Sequence, residues 1–311
     1  MTRSHLLGVL KVIVSIAALW LVFRSVDATQ VWNRFHDAKP NWMAAAFLAL
    51  VMHFVVMVWR WNFVLVHFYQ LRLGMGRLSL VFGLGEALGP ILPSFVGIDL
   101  VRTFALAGSA RIPTIAKAVM LDRIIGLVAL LLLIAITLPA FYAYVDQGPA
   151  LLVVACLGLG GLAAYVAGLW MSPLLARVPV IGTGMAALLG ELKRASLDFK
   201  AMAFLLSSGL LVHVSSVAIF WTAILMLNGS VGFGLCLLIV PAAILIASIP
   251  ISLGGWGLRE GTLVAGFSLV GVPPDVVVAA SVLYGVSGIV SGLIGLGIYL
   301  ALHRHQRTAE L

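Results

Sequence analysis

Six stretches of this chain, Leu6–Phe23, Trp42–Val66, Ile115–Leu138, Ala150–Trp170, Ala201–Leu227 and Val276–Leu302, run on with apolar side chains and few charges. Each holds about 20 residues, enough as a helix to cross a hydrocarbon layer of roughly 30 Å. Inside that layer a backbone has no water to bond, so a helix satisfies its N–H and C=O groups within itself. The spans therefore predict an all-α polytopic membrane protein. Composition agrees, with 62% hydrophobic residues and 10% charged, and a mean hydropathy of +1.15. No polar block exceeds about 30 residues, which leaves no room for a separate soluble domain, and 1–311 is read as a single transmembrane domain.

Two further apolar stretches, Leu78–Leu106 and Val231–Gly271, are broken by glycine and proline. They share a pattern: Pro93 is followed by Gly97 and Arg102, and Pro250 by Gly254 and Arg259. An arginine in hydrocarbon costs roughly 2.5 to 3.5 kcal/mol, so its appearance in each half points to an internal duplication around a site. Each broken stretch is expected to fold back as a re-entrant pair of half-helices. Loop charges agree: Arg3, Arg72 and Arg77, the 171–200 loop with Arg177, Lys193, Arg194 and Lys200, and Arg304 and Arg307 then share one side, the cytoplasmic one by the positive-inside rule. Loop 24–41 is the mismatch, with Arg24, Arg34 and Lys39 against Asp27 and Asp37 on the other side. The first span is read as a retained anchor. The expectation is six full helices plus two re-entrant hairpins in an inverted repeat, repeat 1 over about 6–138 and repeat 2 over about 150–302.

Arg102 and Arg259 are expected in the first turns of the outgoing half-helices, where free N–H groups already favour an anion and a guanidinium can grip phosphate in a bidentate fashion. The competing reading is internal pairing, since Asp99 lies three residues before Arg102 and Glu260 adjoins Arg259. Asp122 and Arg123 are adjacent in the third span, about 100° apart on a helix, so they face different partners. Glu86 stands among small residues in Gly85-Glu86-Ala87-Leu88-Gly89. For Glu86 and Asp122 the alternatives are proton coupling and a salt bridge to Arg60, Arg102 or Arg123. The candidate substrate-binding set is Arg102, Arg259, Ser94, Gly97, Gly254 and Gly257. The candidate coupling or ion-pair set is Glu86, Asp99, Asp122, Arg123 and Glu260.

Enzyme signatures fail. Gly285-Val286-Ser287-Gly288 has the form of an intramembrane serine-protease loop, but His213 precedes the serine, the wrong order for that class, and Gly285, Gly288, Ser291, Gly292 and Gly295 read more simply as a small-residue packing face. No HExxH, P-loop or GxGxxG occurs, Cys156 and Cys236 make no metal-ligand spacing, and the net charge of +8 is scattered rather than gathered for nucleic acid. No catalytic residue, metal or cofactor is expected. Two loops read as membrane-surface helices. In one, Asp27 and Gln30 form a capping box ahead of Val31, Trp32 and Phe35. In the other, Met185, Leu188, Leu189, Leu192 and Phe199 oppose Glu191, Lys193, Arg194 and Lys200.

Leu88-Gly89-Pro90-Ile91-Leu92-Pro93-Ser94 with Gly97, Asp99 and Arg102, then Leu121-Asp122-Arg123 with Gly126-Leu127, then Ile249-Pro250-Ile251-Ser252 with Gly254, Gly257, Arg259 and Glu260 together resemble the lysylphosphatidylglycerol synthase transmembrane region, also called flippase-like or UPF0104 membrane proteins. The resemblance covers essentially the whole chain. Gly255-Trp256 is bulkier than the turn expected of that family. The resemblance implies movement of an anionic or amphoteric phospholipid between leaflets of a bacterial inner membrane, with both termini cytoplasmic. It implies no synthase activity, since the soluble aminoacyltransferase half has no counterpart in this sequence. The partners expected are membrane lipid as substrate and a second copy or an envelope enzyme as neighbour. Two other readings stand beside it, a non-transporting scaffold for such an enzyme and a small-anion or solute transporter.

Overall fold

A computed structural model describes residues 27–88, 97–144, 148–175, 182–249, 252 and 255–308, with isolated positions 17, 20 and 24 before them. The described residues are helical, joined by short turns. Five helical stretches are long and apolar enough to cross a membrane: Pro40–Tyr69, Ile112–Ala143, Leu151–Pro173, Phe199–Met226 and Pro274–Leu302. They match five of the six expected spans within a few residues. Most of Leu6–Phe23 lies outside the described residues.

In chain order, α1 is Ala28–His36. A short turn, Pro40–Trp42, leads into α2, Met43–Tyr69. The first broken stretch gives α3, Met75–Leu88, and α4, Gly97–Ala105, which pack on each other, with Gly85 against Ile98. Next come α5, Ile112–Tyr144, and the pair α6, Pro149–Ala155, and α7, Gly161–Leu175, joined by a single wider π turn over Cys156–Gly160. Then follow α8, Gly182–Leu197, and α9, Phe199–Met226. The second broken stretch gives α10, Phe233–Ala247, and α11, Leu258–Ser268, which also pack together. The chain continues in α12, Pro274–Thr308. Each broken stretch thus holds two short helices that pack on each other.

Two buried apolar clusters mark the ends of the bundle. One gathers Leu65, Leu78, Leu106, Ile115 and Leu192 from the turns around α2–α3, α4–α5 and α8. The other gathers Val31, Phe141, Leu227, Phe267, Val272 and Val276 from α1, the end of α5, the α9–α10 turn and the α11–α12 turn. Leu78 and Leu106, near the outer ends of the α3–α4 pair, lie in the first cluster, and Cys236 and Phe267, near those of α10–α11, in the second. Between the ends, α3 crosses α12 at small residues. A Cβ on Gly83 would stand 3.2 Å from the Gly292 backbone, and one on Gly295 only 2.4 Å from the Ser79 carbonyl oxygen. That close approach is what the glycine spacing of the last span predicts.

The two surface helices depart from their sequence reading. Asp27 caps α1 by accepting from the Thr29 N–H at 2.8 Å, not from Gln30. Val31 and Phe35 turn into the core while Trp32 is exposed, because residues 31 and 35 lie four apart and 32 lies a further 100° around. Arg34 donates to Asp275 at 2.7 Å and ties α1 to the start of α12. That pair also accounts for part of the mismatched positive charge in loop 24–41, since Arg34 meets a carboxylate there. In α8, Leu188 and Leu192 are buried against the bundle, whereas Phe199 belongs to α9 and is exposed. The Met185 side chain lies outside the described residues. Glu191 accepts from the Tyr69 hydroxyl and pairs with Lys117, which docks α8 on the bundle.

Candidate functional site

Three helices bring five charged side chains together, all but Arg123 of them buried. Asp122 on α5 receives Arg102 of α4 on one carboxylate oxygen and Arg60 of α2 on the other, each at 3.1 Å. Asp99 lies 3.8 Å from Arg102, one turn along α4, and also accepts from Arg123. Adjacent Asp122 and Arg123 therefore do face different partners, as their 100° separation requires. The Arg102 guanidinium lies over Trp61 at 3.9 Å and Phe82 at 4.7 Å, which covers the face that hydrogen bonds leave bare. Three guanidinium groups face two carboxylates here. Glu86 supplies a third acid whose field reaches Arg102.

Arg102 is in the last turn of α4, not the first. The described part of the half-helix runs from Gly97, and Arg102 stands past its first turn. Its anion is an internal one. Arg259 differs. It is the second residue of α11, and the turn before it uses Gly255 and Gly257 at φ 82° and 85°, where a Cβ is strained. A Cβ on Gly255 would also stand 3.0 Å from that of Ala247. Glu260 caps the helix by accepting from the Gly257 N–H at 2.7 Å, and its other oxygen accepts from Arg259 at 2.7 Å and from the Ser281 hydroxyl at 2.8 Å. Ser281 accepts in turn from Arg259 Nε at 3.0 Å. Internal pairing is thus real for both arginines.

What separates them is access. A cavity of about 110 Å³ lies between the two broken stretches and includes His53 of α2, Glu86 of α3, Trp256 and Arg259 before and on α11, and Tyr284 and Ser287 of α12 in its wall. Arg259 opens onto it, stacked against Trp256 at 4.8 Å and Tyr284 at 5.5 Å. Arg102 does not line it. Among the described residues Glu86 makes no salt bridge, so of its expected partners only the long-range field of Arg102 is found. Asp122 does take the salt-bridge alternative.

Of the other expected site residues, Gly97 starts α4 and is buried, and Gly257 is the residue before α11. Ser94 and Gly254 lie outside the described residues. Ser252, of the second proline motif, is fully buried. Sequence reasoning missed His53, Tyr284 and Ser281, and saw Trp256 only as a bulky departure. His53 had a readable signal, since it stands seven residues before Arg60 and so on the same helix face.

The model of the lysylphosphatidylglycerol synthase TM region matches residues 8–295 of the chain. The chain belongs to that family. No curated protein matches it. As a member of the lysylphosphatidylglycerol synthase TM-region family it is an integral membrane protein, and the motifs that carried the resemblance now have places. Two fall at the breaks of the α3–α4 and α10–α11 pairs, and the third supplies Asp122 and Arg123 to the charge cluster.

Proposed function

We propose that this protein is a flippase-like lipid translocase of a bacterial inner membrane, and that the headgroup of an anionic or amphoteric phospholipid enters the cavity between the two broken stretches. The observation that carries the reading is Arg259 in the wall of a cavity to which both halves of the chain contribute. The headgroup phosphate displaces part of the Arg259–Glu260 pairing, and Glu260 keeps its Gly257 and Ser281 bonds when it does. Arg102, held by Asp122 and stacked on Trp61, fixes α4 rather than the ligand.

Contacts within the bundle support an inverted repeat. The α3–α4 pair leaves one end and packs on α12, while α10–α11 leaves the other and packs on α5, and α2 packs on its counterpart α9. Rocking of these halves gives alternating access, with the Arg72 and Lys193 end cytoplasmic. The cavity is small beside a lipid headgroup, which favours a second reading, transport of a small anion.

Liposomes that hold the purified protein, a labelled phosphatidylglycerol and trapped phosphate separate these. Lipid translocation requires leaflet exchange that Arg259→Ala slows by about tenfold or more, the worth of one charge-assisted contact of roughly 1.5–3 kcal/mol. Exchange that Arg259→Ala leaves unchanged in folded protein rules the arginine out as headgroup ligand. Phosphate leak without lipid exchange moves the function to small anions.

A further inference from the structure

We infer that the cavity takes up one proton together with its anionic ligand and that His53 Nε2 holds this proton, an inference that rests on Arg259 being the anion ligand. The geometry begins with the other ring nitrogen. His53 Nδ1 lies 3.1 Å from the Val212 carbonyl oxygen and 3.0 Å from Ser215 Oγ. A carbonyl only accepts, so Nδ1 carries the hydrogen. Ser215 itself donates to that carbonyl at 2.8 Å, which leaves its oxygen a lone pair for Nδ1–H and makes the arrangement self-consistent. In the neutral ring Nε2 is then the basic nitrogen, and His53 forms part of the cavity wall.

His213 provides the contrast one helix away. Its Nε2 lies 3.0 Å from the Gly126 carbonyl oxygen, so there the outer nitrogen is the donor, and His213 does not line the cavity. The charged and titratable groups around His53 are Glu86 on α3, Arg259 on α11, Tyr284 on α12, His213 on α9 and Arg60 on its own helix. A proton on Nε2 adds a positive charge beside two arginines. Negative charge in the cavity offsets it, from an ionised Glu86 or from a bound anion, so anion and proton favour each other's binding by the same factor.

The test uses the full chain in a non-ionic detergent with two phosphodiester probes, dihexanoylphosphatidylglycerol and dimethyl phosphate, each of which keeps one negative charge between about pH 5 and 8, the range in which histidine titrates. Calorimetry across that range should show the dissociation constant rising with pH, by up to about tenfold per unit. His53→Asn, whose amide still donates to Val212, should bind with no pH dependence, and His213→Gln should behave as the wild type does. Nitrogen NMR of the ligand-free protein should find His53 in the Nδ1–H form, a readout that stands even if the variant fails to fold. Wild-type binding independent of pH, pH dependence retained in His53→Asn, or an Nε2–H tautomer overturns the role of His53 and leaves Arg259 as the ligand. Binding undiminished by Arg259→Ala, or absent for both probes, overturns the site itself. Binding of the lipid probe alone assigns the cavity to a headgroup, and equal binding of both assigns it to the phosphodiester alone. Either result supports the inference when it follows pH.

Discussion

Asp122 is the residue on which the buried charges turn. It holds Arg60 and Arg102 at once, and all three side chains are nearly out of contact with the surroundings. Removing one partner of a buried pair leaves the other charge without compensation, at a cost of about 3–5 kcal/mol. Asp122→Asn should therefore destabilise the protein by that order, read as an earlier unfolding transition in detergent. Arg259→Ala should cost distinctly less, because Glu260 retains two other donors. Equal losses would put both arginines in the same structural class. The divergence of Asp122 and Arg123 was legible in the sequence, since helix geometry fixes the angle between neighbours. Which arginine meets which acid was not, because that depends on how α2, α4 and α5 lie against each other. Ser281 was invisible for the same reason, as its hydroxyl acquires a role only when α11 comes to rest beside α12.

At the scale of elements, the crossing of α3 and α12 sets the wall of the cavity. Gly288 faces the Glu86 carbonyl, where a Cβ would approach to 2.8 Å, and Gly295 faces Ser79 at 2.4 Å. Both atoms belong to the α3 backbone, so nothing there can swing aside. Gly295→Val should push the helices apart and cost about 1–3 kcal/mol by overpacking, measurable as lower thermal stability, with slower lipid exchange because Glu86 moves with α3. A neutral result would mean that the two helices do not touch at that level. The small-residue stripe was plain in the sequence. The π turn at Cys156–Gly160 was not, because hydropathy counts apolar side chains and is blind to how tightly the backbone winds around them.

For the whole molecule, the broken stretches and five of the spans could be read from proline, glycine and run length, since those residues act through the backbone wherever they stand. The arrangement around the cavity could not, because it joins residues about 200 positions apart or more, Glu86 and His53 with Tyr284 and Ser287. The orientation carries a direct test. Single cysteines placed at Arg72 and at Ser230, both exposed in turns at opposite ends of the bundle, should label from opposite faces of the membrane, Arg72→Cys from the cytoplasm. Labelling from one face would remove the inverted repeat and the alternating-access mechanism with it.

Among the described residues, the span formed by α6, the π turn and α7 is the least covered of the long helices, with 6% of its apolar window buried. It leans on α5 at two glycines, Gly158 against Ile134 and Gly161 against Leu131. A helix so little held by the rest of the chain has little to fix its tilt in a bilayer. Its 23 residues extend beyond a hydrocarbon core of roughly 30 Å, and a span longer than its bilayer tilts or bends. The π turn is where bending costs least. Membrane thickness thereby has a lever on this protein, and the lever rests on α5, the helix that carries Asp122.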